Sequence, residues 1–597
     1  VSRHAHAGLH IAALIKQIPA FESMALGNDG RLLRAGVALE MNAYCRRAVA
    51  QGVILARESG GTCTVYTLGP PTAEDVLREA IACGADAGVL ITDPALAGSD
   101  TLATARALAA ALERDGPFDL ILVGRNSVDA DTGQVGPEIA ELLDLPFVGG
   151  VRELAWAGRR LRARCEVDDG WARAEAALPL VMSVAERLCS PCKAPPEARA
   201  AVDAERIRVV PAKSLGPGPW GLAGSPTRVG ATRALETSRA RRILQGPLAE
   251  QVREAVGFLA ARGALSAAPE TEARAVPASR AERGAPPVAV LLEPEQPRLG
   301  RELCGAAAVL AHELGGHVVG LGPEPLDGTA LGAWGMDAGV AFTGAESPED
   351  VARAAGAWAE GAQPWALLAP STDWGREVAA RVAAYLGAGL TGDAVALELR
   401  GRRLVARKPA FGGQMVAEIT CTSAVQMATV RPGVLPLLAP RTAAATVAQV
   451  RVEPRRRIHL TERIHEDRTE ALATAACVIG VGTGVAPEEY DRIQGLARLL
   501  GAELAATRKV TDLGWLPRAR QVGITGHSIS PRLYIAIGMS GKLNHTIGVR
   551  SAGTVLAINR DPEAPVFAVA DAGIVGEWRE VLALLEAELA RHAQVTA

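Results

Sequence analysis

Residues 477–484 read CVIGVGTG, an apolar run that ends in a glycine-rich turn, and a helical pattern opens behind it at Pro487. That order places backbone N–H groups at a helix N-terminus, where donors and the helix dipole would meet a pyrophosphate. A strand-to-helix glycine turn is weak evidence alone, because most such turns only reverse the chain. Downstream, however, further apolar runs follow at YIAIG (534–538), TVLAIN (554–559) and VFAVAD (566–571), and a helical pattern closes the chain over 577–591. Strands alternating with helices predict a parallel sheet for residues 457–597.

The same alternation occurs twice upstream. VAVLLEP (288–294), GGHVVGLG (315–322), AGVAFTG (338–344) and PWALLAP (364–370) organise a unit over 288–445. IAALIK (11–16), TCTVYTLG (62–69), AGVLIT (87–92) and FDLILVG (118–124) organise a unit over 9–210, with helices over 43–58, after Thr72 and after Thr101. Between them, 211–287 is rich in Pro, Gly, Arg and Ala with one helical stretch over 248–262, which reads as a connecting arm. The fold class expected is α/β, with three Rossmann-like or flavodoxin-like parallel-sheet domains, two pseudo-equivalent base domains and a C-terminal one.

Bulk properties agree. A chain of 597 residues exceeds one hydrophobic core. Hydrophobic residues at 49% and charged residues at 22% exclude a disordered chain, and 63 basic against 66 acidic residues give a net charge of -3, with no basic field to hold a phosphate backbone. Nucleic acid is therefore not an expected partner. No apolar window reaches the roughly 18 residues of a membrane helix, and the first residues run into an apolar strand instead of a signal sequence, so a cytoplasmic protein is expected. His4, His6 and His10 carry no assigned role. Nine scattered cysteines read as reduced thiols, and CSPC (189–192), lacking a second pair nearby, reads as a loop. HELGGH (312–317) has histidines five apart where a zinc-binding helical face needs four, and its Gly-Gly pair should end the helix.

From about Ala476 to the C-terminus the chain resembles the FAD-binding domain of the alpha subunit of electron-transfer flavoproteins. The residues that carry the likeness are Thr507 and Arg508; Gln521, Val522, Gly523, Thr525 and Gly526 in QVGITG; Ser540, Gly541 and His545 in SGKLNH; Gly482; and, toward the adenosine, Asn559 and Glu577. The resemblance implies FAD here, with Thr525 at the N5 edge and a cationic or hydrogen-bonding His545 beside Arg508 where reduction builds negative charge. Thr483 replaces a usual arginine and Ile524 an often-found glutamine. Residues 288–445 resemble the alpha subunit's first domain.

The first unit resembles the beta subunit through IKQIP (15–19), MNAYCRRAV (41–49), AGSDTLAT (97–104) and VGRNSVDADTGQVGPEIAELLDLP (123–146). Asp131, Thr132 and Gln134 precede a helix start, where hydroxyl, amide and backbone donors can take a nucleotide phosphate. The resemblance implies either AMP or, in the bifurcating and quinone-linked branch whose wording this stretch follows, a second FAD. RLCSPCKAPPEARA (187–200) falls where the beta subunit has its docking loop for a flavin dehydrogenase of the acyl-CoA-dehydrogenase kind. The expected function is an electron carrier between that dehydrogenase and a second acceptor, a quinone oxidoreductase or ferredoxin. The alternative is an NADH-oxidising, electron-bifurcating flavoprotein.

Overall fold

The computed structural model describes residues 8–596 except 21–36, 158–159, 169, 186, 235–238, 267–271, 281–283, 411–414, 466–468, 524–525 and 528. Three sheets organise it. The first has ten strands in the order Ile207–Val210, Ala87–Ile91, Thr62–Leu68, His10–Leu14, Leu120–Gly124, Leu180–Val184, Phe147–Ala157, Arg160–Val167, Gly170–Ala177 and Ile458–His465. Its first seven strands run parallel and the last three pairings are antiparallel. The second sheet is wholly parallel: Gly389–Ala394, Gln426–Val430, Ala366–Pro370, Val288–Leu291, Val318–Pro323, Ala338–Thr343 and Thr446–Arg451. The third is parallel too: Arg242–Ile243, Ala572–Val575, Thr554–Asn559, Leu533–Ile537, Cys477–Val481 and Glu503–Ala506.

The reason is legible in the strands. Val288–Leu291, Cys477–Val481 and Leu533–Ile537 are buried at every position, as strands covered by helices on both faces must be. A smaller antiparallel sheet, Thr227–Ala234 with Met415–Cys421, Arg403–Ala410 and Ala396–Arg400, flanks the second unit.

Residues 211–287 are shared among the three units, where the sequence suggested a connecting arm. Val210, Ala212, Leu215 and Trp220 pack in the first unit's core. Thr227–Ala234 lies in the antiparallel sheet. Arg242–Ile243 then pairs with Ala572 and Gly573 on the third sheet's edge, and the helix Leu248–Ala261 buries Val252, Ala255, Val256 and Leu259 against Ile574, Val581 and Leu585. Glu272–Ala275 pairs with Leu438–Ala439 of the second unit. Strands of two to four residues at sheet edges leave no periodicity to read. Likewise Ile458–His465, just inside the third region by sequence, closes the first sheet beside Gly170–Ala177.

The thiols need correction. Cys83 and Cys192 form a disulfide across 109 residues, so the 189–192 loop folds back on the helix Glu74–Ala82; seven other cysteines are free. Arg199 adds an ion pair to Asp75 at 3.0 Å. Sequence spacing cannot reveal a partner so far away in the chain. The helix Pro297–Leu314 ends at Gly315 in the left-handed conformation (φ 71°), where the Gly-Gly pair was expected to end it, and Nδ1 of His312 is bonded to the Ala278 carbonyl.

The two base units are locked by charge. Arg125 binds both oxygens of Asp373 at 2.6 and 2.8 Å, and the fully buried Arg381 meets Glu141 at 3.2 Å and Glu377 at 3.3 Å. No helix among the described residues is long and apolar enough to cross a membrane.

Candidate functional site

In the third sheet the chain leaves strand Cys477–Val481 for Glu503–Ala506 on one side and then returns to Leu533–Ile537 on the other. Strand order reverses there, and the crevice outside the carboxyl ends of such strands is where parallel sheets bind nucleotides. The residues singled out in the sequence collect along that edge. Gly482 follows the first strand, Thr507 and Arg508 the second, Ser540 and Gly541 the third; Asn559 ends the fourth and Glu577 follows the fifth.

Close backbone approach shapes the crevice. Gly482 and Gly484 donate to Ile537 and Gly538 carbonyls at 3.0 and 2.9 Å, and a Cβ on Gly482 would stand 2.3 Å from the Gly538 oxygen. Gly541 (φ 73°) has Val566 Cα 2.2 Å from where its Cβ would be. Only glycine fits these turns. Asn559 supports them from below, donating Nδ2 to the Met539 carbonyl at 2.9 Å, and Trp578 donates Nε1 to the Gly484 carbonyl at 3.1 Å.

The segment 521–527 adds the next rung outward. Val522 N–H donates to Ala506 O at 3.0 Å, and Gln521 accepts from Thr511 Oγ1 at 2.7 Å. Gly526 N–H donates to Gly523 O at 3.0 Å, in a turn where a Gly526 Cβ would lie 2.3 Å from Gln521 O. Thr507 stands at the N-cap position of Arg508–Asp512 without using its hydroxyl as a cap. Arg508 is half exposed and paired with Asp512 at 3.2 Å. Glu577 lies 3.5 Å from Arg560 and 3.6 Å from Arg579. Thr525 lies outside the described residues, as do His4 and His6.

His545 takes the hydrogen-bonding form of its expected role and not the cationic one. It is buried, Nδ1 sits 2.9 Å from the Val522 carbonyl, and Nε2 sits 2.7 Å from the Tyr534 hydroxyl. Burial pushes its pKa down to about 4, against the smaller opposing pull of the Val522 carbonyl, so the imidazole is neutral. Tyr534 was missed in the sequence because a tyrosine inside LYIAI looks like core.

The first unit's loop is of another kind. Asp131 (φ 45°) and Gly133 (φ 65°) both take the left-handed conformation ahead of the helix Val135–Leu142. Gln134 is buried, accepts from Thr101 Oγ1 at 2.9 Å and reaches the Leu390 carbonyl at 3.4 Å. Thr132 packs against Gly392, whose Cβ would lie 3.4 Å from its Cα. Behind stand three basic side chains of the second unit, Arg376, Lys408 and Arg431, all within electrostatic reach of Asp131. Lys408 donates to Gly392 O at 2.8 Å; Arg431 Nε donates to Asp393 Oδ1 at 3.2 Å. Burial would raise the Asp393 carboxyl, but Arg431 outweighs it and holds the pKa to about 2.

Fold and C-terminal edge together define a dinucleotide-binding α/β protein. The fit to FAD rests on the switch-point crevice, on turns that tolerate no side chain and on a Thr507 hydroxyl unused as a cap. The electron transfer flavoprotein domain matches residues 29–214 and again 298–455, and the electron transfer flavoprotein FAD-binding domain matches 471–550. The electron transfer flavoprotein subunit beta of Thermoanaerobacterium thermosaccharolyticum is 36% identical over 260 residues, 42% of this chain and 99% of the relative. The subunit alpha of Clostridium acetobutylicum is 36% identical over 242 residues, 38% of this chain and 71% of the relative. Protein FixB of Bradyrhizobium diazoefficiens is 37% identical over 237 residues, 38% of this chain and 63% of the relative. The chain belongs to the electron transfer flavoprotein family, with beta-like and alpha-like portions fused in one polypeptide.

Proposed function

We propose that this protein carries electrons from a flavin dehydrogenase of the acyl-CoA-dehydrogenase kind to a second acceptor, a quinone oxidoreductase or a ferredoxin. The observation that carries the reading is the convergence of Gly482, Thr507, Gln521, Ser540, Gly541 and Asn559 on the carboxyl edge of one parallel sheet. FAD, when bound, supplies reversible one- and two-electron chemistry. The protein's part is to hold it. Glycine turns without side chains let the cofactor come close to the backbone, Arg508 offers a cation, and Thr507 offers a hydroxyl.

Exposure of Ser540, Thr483 and Arg508 leaves the edge open to a partner surface. The loop 187–200 is the docking element in this reading; its disulfide to the helix Glu74–Ala82 supports a presented, fixed shape, and Arg187 lies 3.4 Å from Asp512 of the C-terminal unit. AMP or a second FAD belongs on the loop of Asp131, Thr132 and Gln134.

A second reading is an NADH-oxidising, electron-bifurcating flavoprotein. It follows the wording of residues 123–146; Arg376, Lys408 and Arg431 behind that loop are faced by Asp131, Asp393 and Asp373, so a bound phosphate would meet a charge-balanced cluster. The test is to quantify FAD and AMP released per chain on denaturation, then to titrate the protein anaerobically with NADH. A carrier with AMP yields one FAD and is inert to NADH. Two FAD per chain with direct reduction by NADH supports the second reading, and a colourless protein that takes up no FAD overturns both.

A further inference from the structure

Beneath the C-terminal crevice a line of contacts runs through three segments that sequence separates widely. Tyr534 is 1% exposed, in a strand buried at all five positions. On the neighbouring strand a Cβ at Gly480 would lie 1.7 Å from the Tyr534 hydroxyl oxygen, so that strand has glycine at the point where the phenol passes. Beyond the gap the hydroxyl meets Nε2 of His545 at 2.7 Å, and Nδ1 meets the Val522 carbonyl at 2.9 Å.

The direction of these bonds is fixed by chemistry. A carbonyl oxygen only accepts, so Nδ1 carries the ring proton and donates it to Val522. A neutral imidazole then has a lone pair at Nε2, and the Tyr534 O–H donates to it. Val522 itself donates its N–H to Ala506 O, next to Thr507. The line therefore ends on the backbone of the 521–523 stretch. A phenol hydroxyl in an apolar core costs free energy unless bonded, and its partner among the described residues is an imidazole whose other side holds that backbone.

We propose that Tyr534 is a positioning residue for the flavin site: through the gap at Gly480 it holds the ring of His545, whose Nδ1–H tautomer the Val522 carbonyl sets, and the ring in turn fixes Val522 against the end of strand Glu503–Ala506. This rests on the reading of that edge as the FAD site. His545 then acts as an uncharged internal brace. Burial, which favours the neutral ring, supports the same assignment.

The experiment compares Tyr534→Phe with Tyr66→Phe in the full chain. Tyr66 is an equally buried tyrosine of the first sheet whose hydroxyl donates to Asp115 at 2.9 Å, remote from the crevice. Histidines are labelled with 15N, and ring-nitrogen shifts are read in the FAD-free protein alongside the FAD dissociation constant. In the parent chain His545 is expected as the Nδ1–H tautomer with a hydrogen-bonded Nε2. Tyr534→Phe should move the Nε2 shift to that of an unbonded lone pair and weaken FAD about tenfold, the lower end of the loss when a residue that orients a binding group is removed. Tyr66→Phe should change neither, whatever it does to the melting temperature. An FAD affinity within twofold of the parent in Tyr534→Phe, or an equal loss in Tyr66→Phe, overturns the proposal. So does an Nε2–H or doubly protonated His545 in the parent chain, a result that stands even if the parent takes up no FAD, which would instead count against the site.

Discussion

The two loops proposed as nucleotide sites in this chain are built on opposite plans. The loop of Asp131, Thr132 and Gln134 is sunk between the base units, with Gln134, Lys408 and Asp393 all buried and three basic side chains arrayed behind it. The C-terminal edge has glycine turns in front, a neutral histidine beneath and its one matched arginine half exposed. Formal charge in a buried joint ties the elements that carry it together, because a buried ion left without its partner is costly. An open edge of backbone donors suits a group that must be reached from outside. In the proposed reading, the difference separates a site that serves assembly from a site that serves exchange.

The largest effect that would break this comparison is expected at Arg431. Replacing it by Ala leaves Asp393 buried without its main counter-ion, which costs about 3–5 kcal/mol. Denaturant unfolding of the base units should show the loss, while FAD affinity at the C-terminal edge stays within twofold. Collapse of both would mean that the two sites are not independent.

Glu138 sharpens the same contrast. It is fully buried beside Gln134 and 3.1 Å from the Thr101 hydroxyl, to which its protonated carboxyl donates while that hydroxyl donates to Gln134; burial, followed by the charge of Asp100, raises its pKa to about 8. The unfolded chain releases that proton near pH 4, so between about 4 and 8 the folded state binds more protons and its stability falls as pH rises. Glu138→Gln removes the slope. Relative to the parent it should gain about 2–4 kcal/mol on going from pH 5 to pH 8. A constant difference across that range would show that Glu138 ionises in place.

Much of this was legible beforehand, for a physical reason. Parallel strands buried on both faces write themselves as apolar runs, so Val288–Leu291 and Leu533–Ile537 could be read directly, as could the helix Leu248–Ala261. Where that helix docks could not, since its link to the third sheet is a pairing of only Arg242 and Ile243 with Ala572 and Gly573. The Cys83–Cys192 bridge was hidden because nothing local marks a partner 109 residues away. At the site, glycines and hydroxyl residues were legible as types, but the charge of His545 was not. Protonation is set by burial and by Tyr534, and neither is visible before the strands are assembled.

The smallest change in stability is expected at Arg508, and it bears most directly on the open-edge side of the comparison. Its i,i+4 pair with Asp512 joins two side chains that are 48% and 44% exposed, a setting in which ion pairs contribute at most about 0.5 kcal/mol. Arg508→Ala should therefore leave unfolding of the FAD-free chain within that margin. A charge-assisted contact to the bound flavin would add a separate loss, weakening FAD roughly tenfold, and fluorescence titration measures it without reference to folding. Unchanged affinity would assign Arg508 to the solvated surface and leave the edge to bind through backbone and hydroxyl groups alone. The half-exposed side chain that matters least to the fold would then separate a charged cradle from a neutral one.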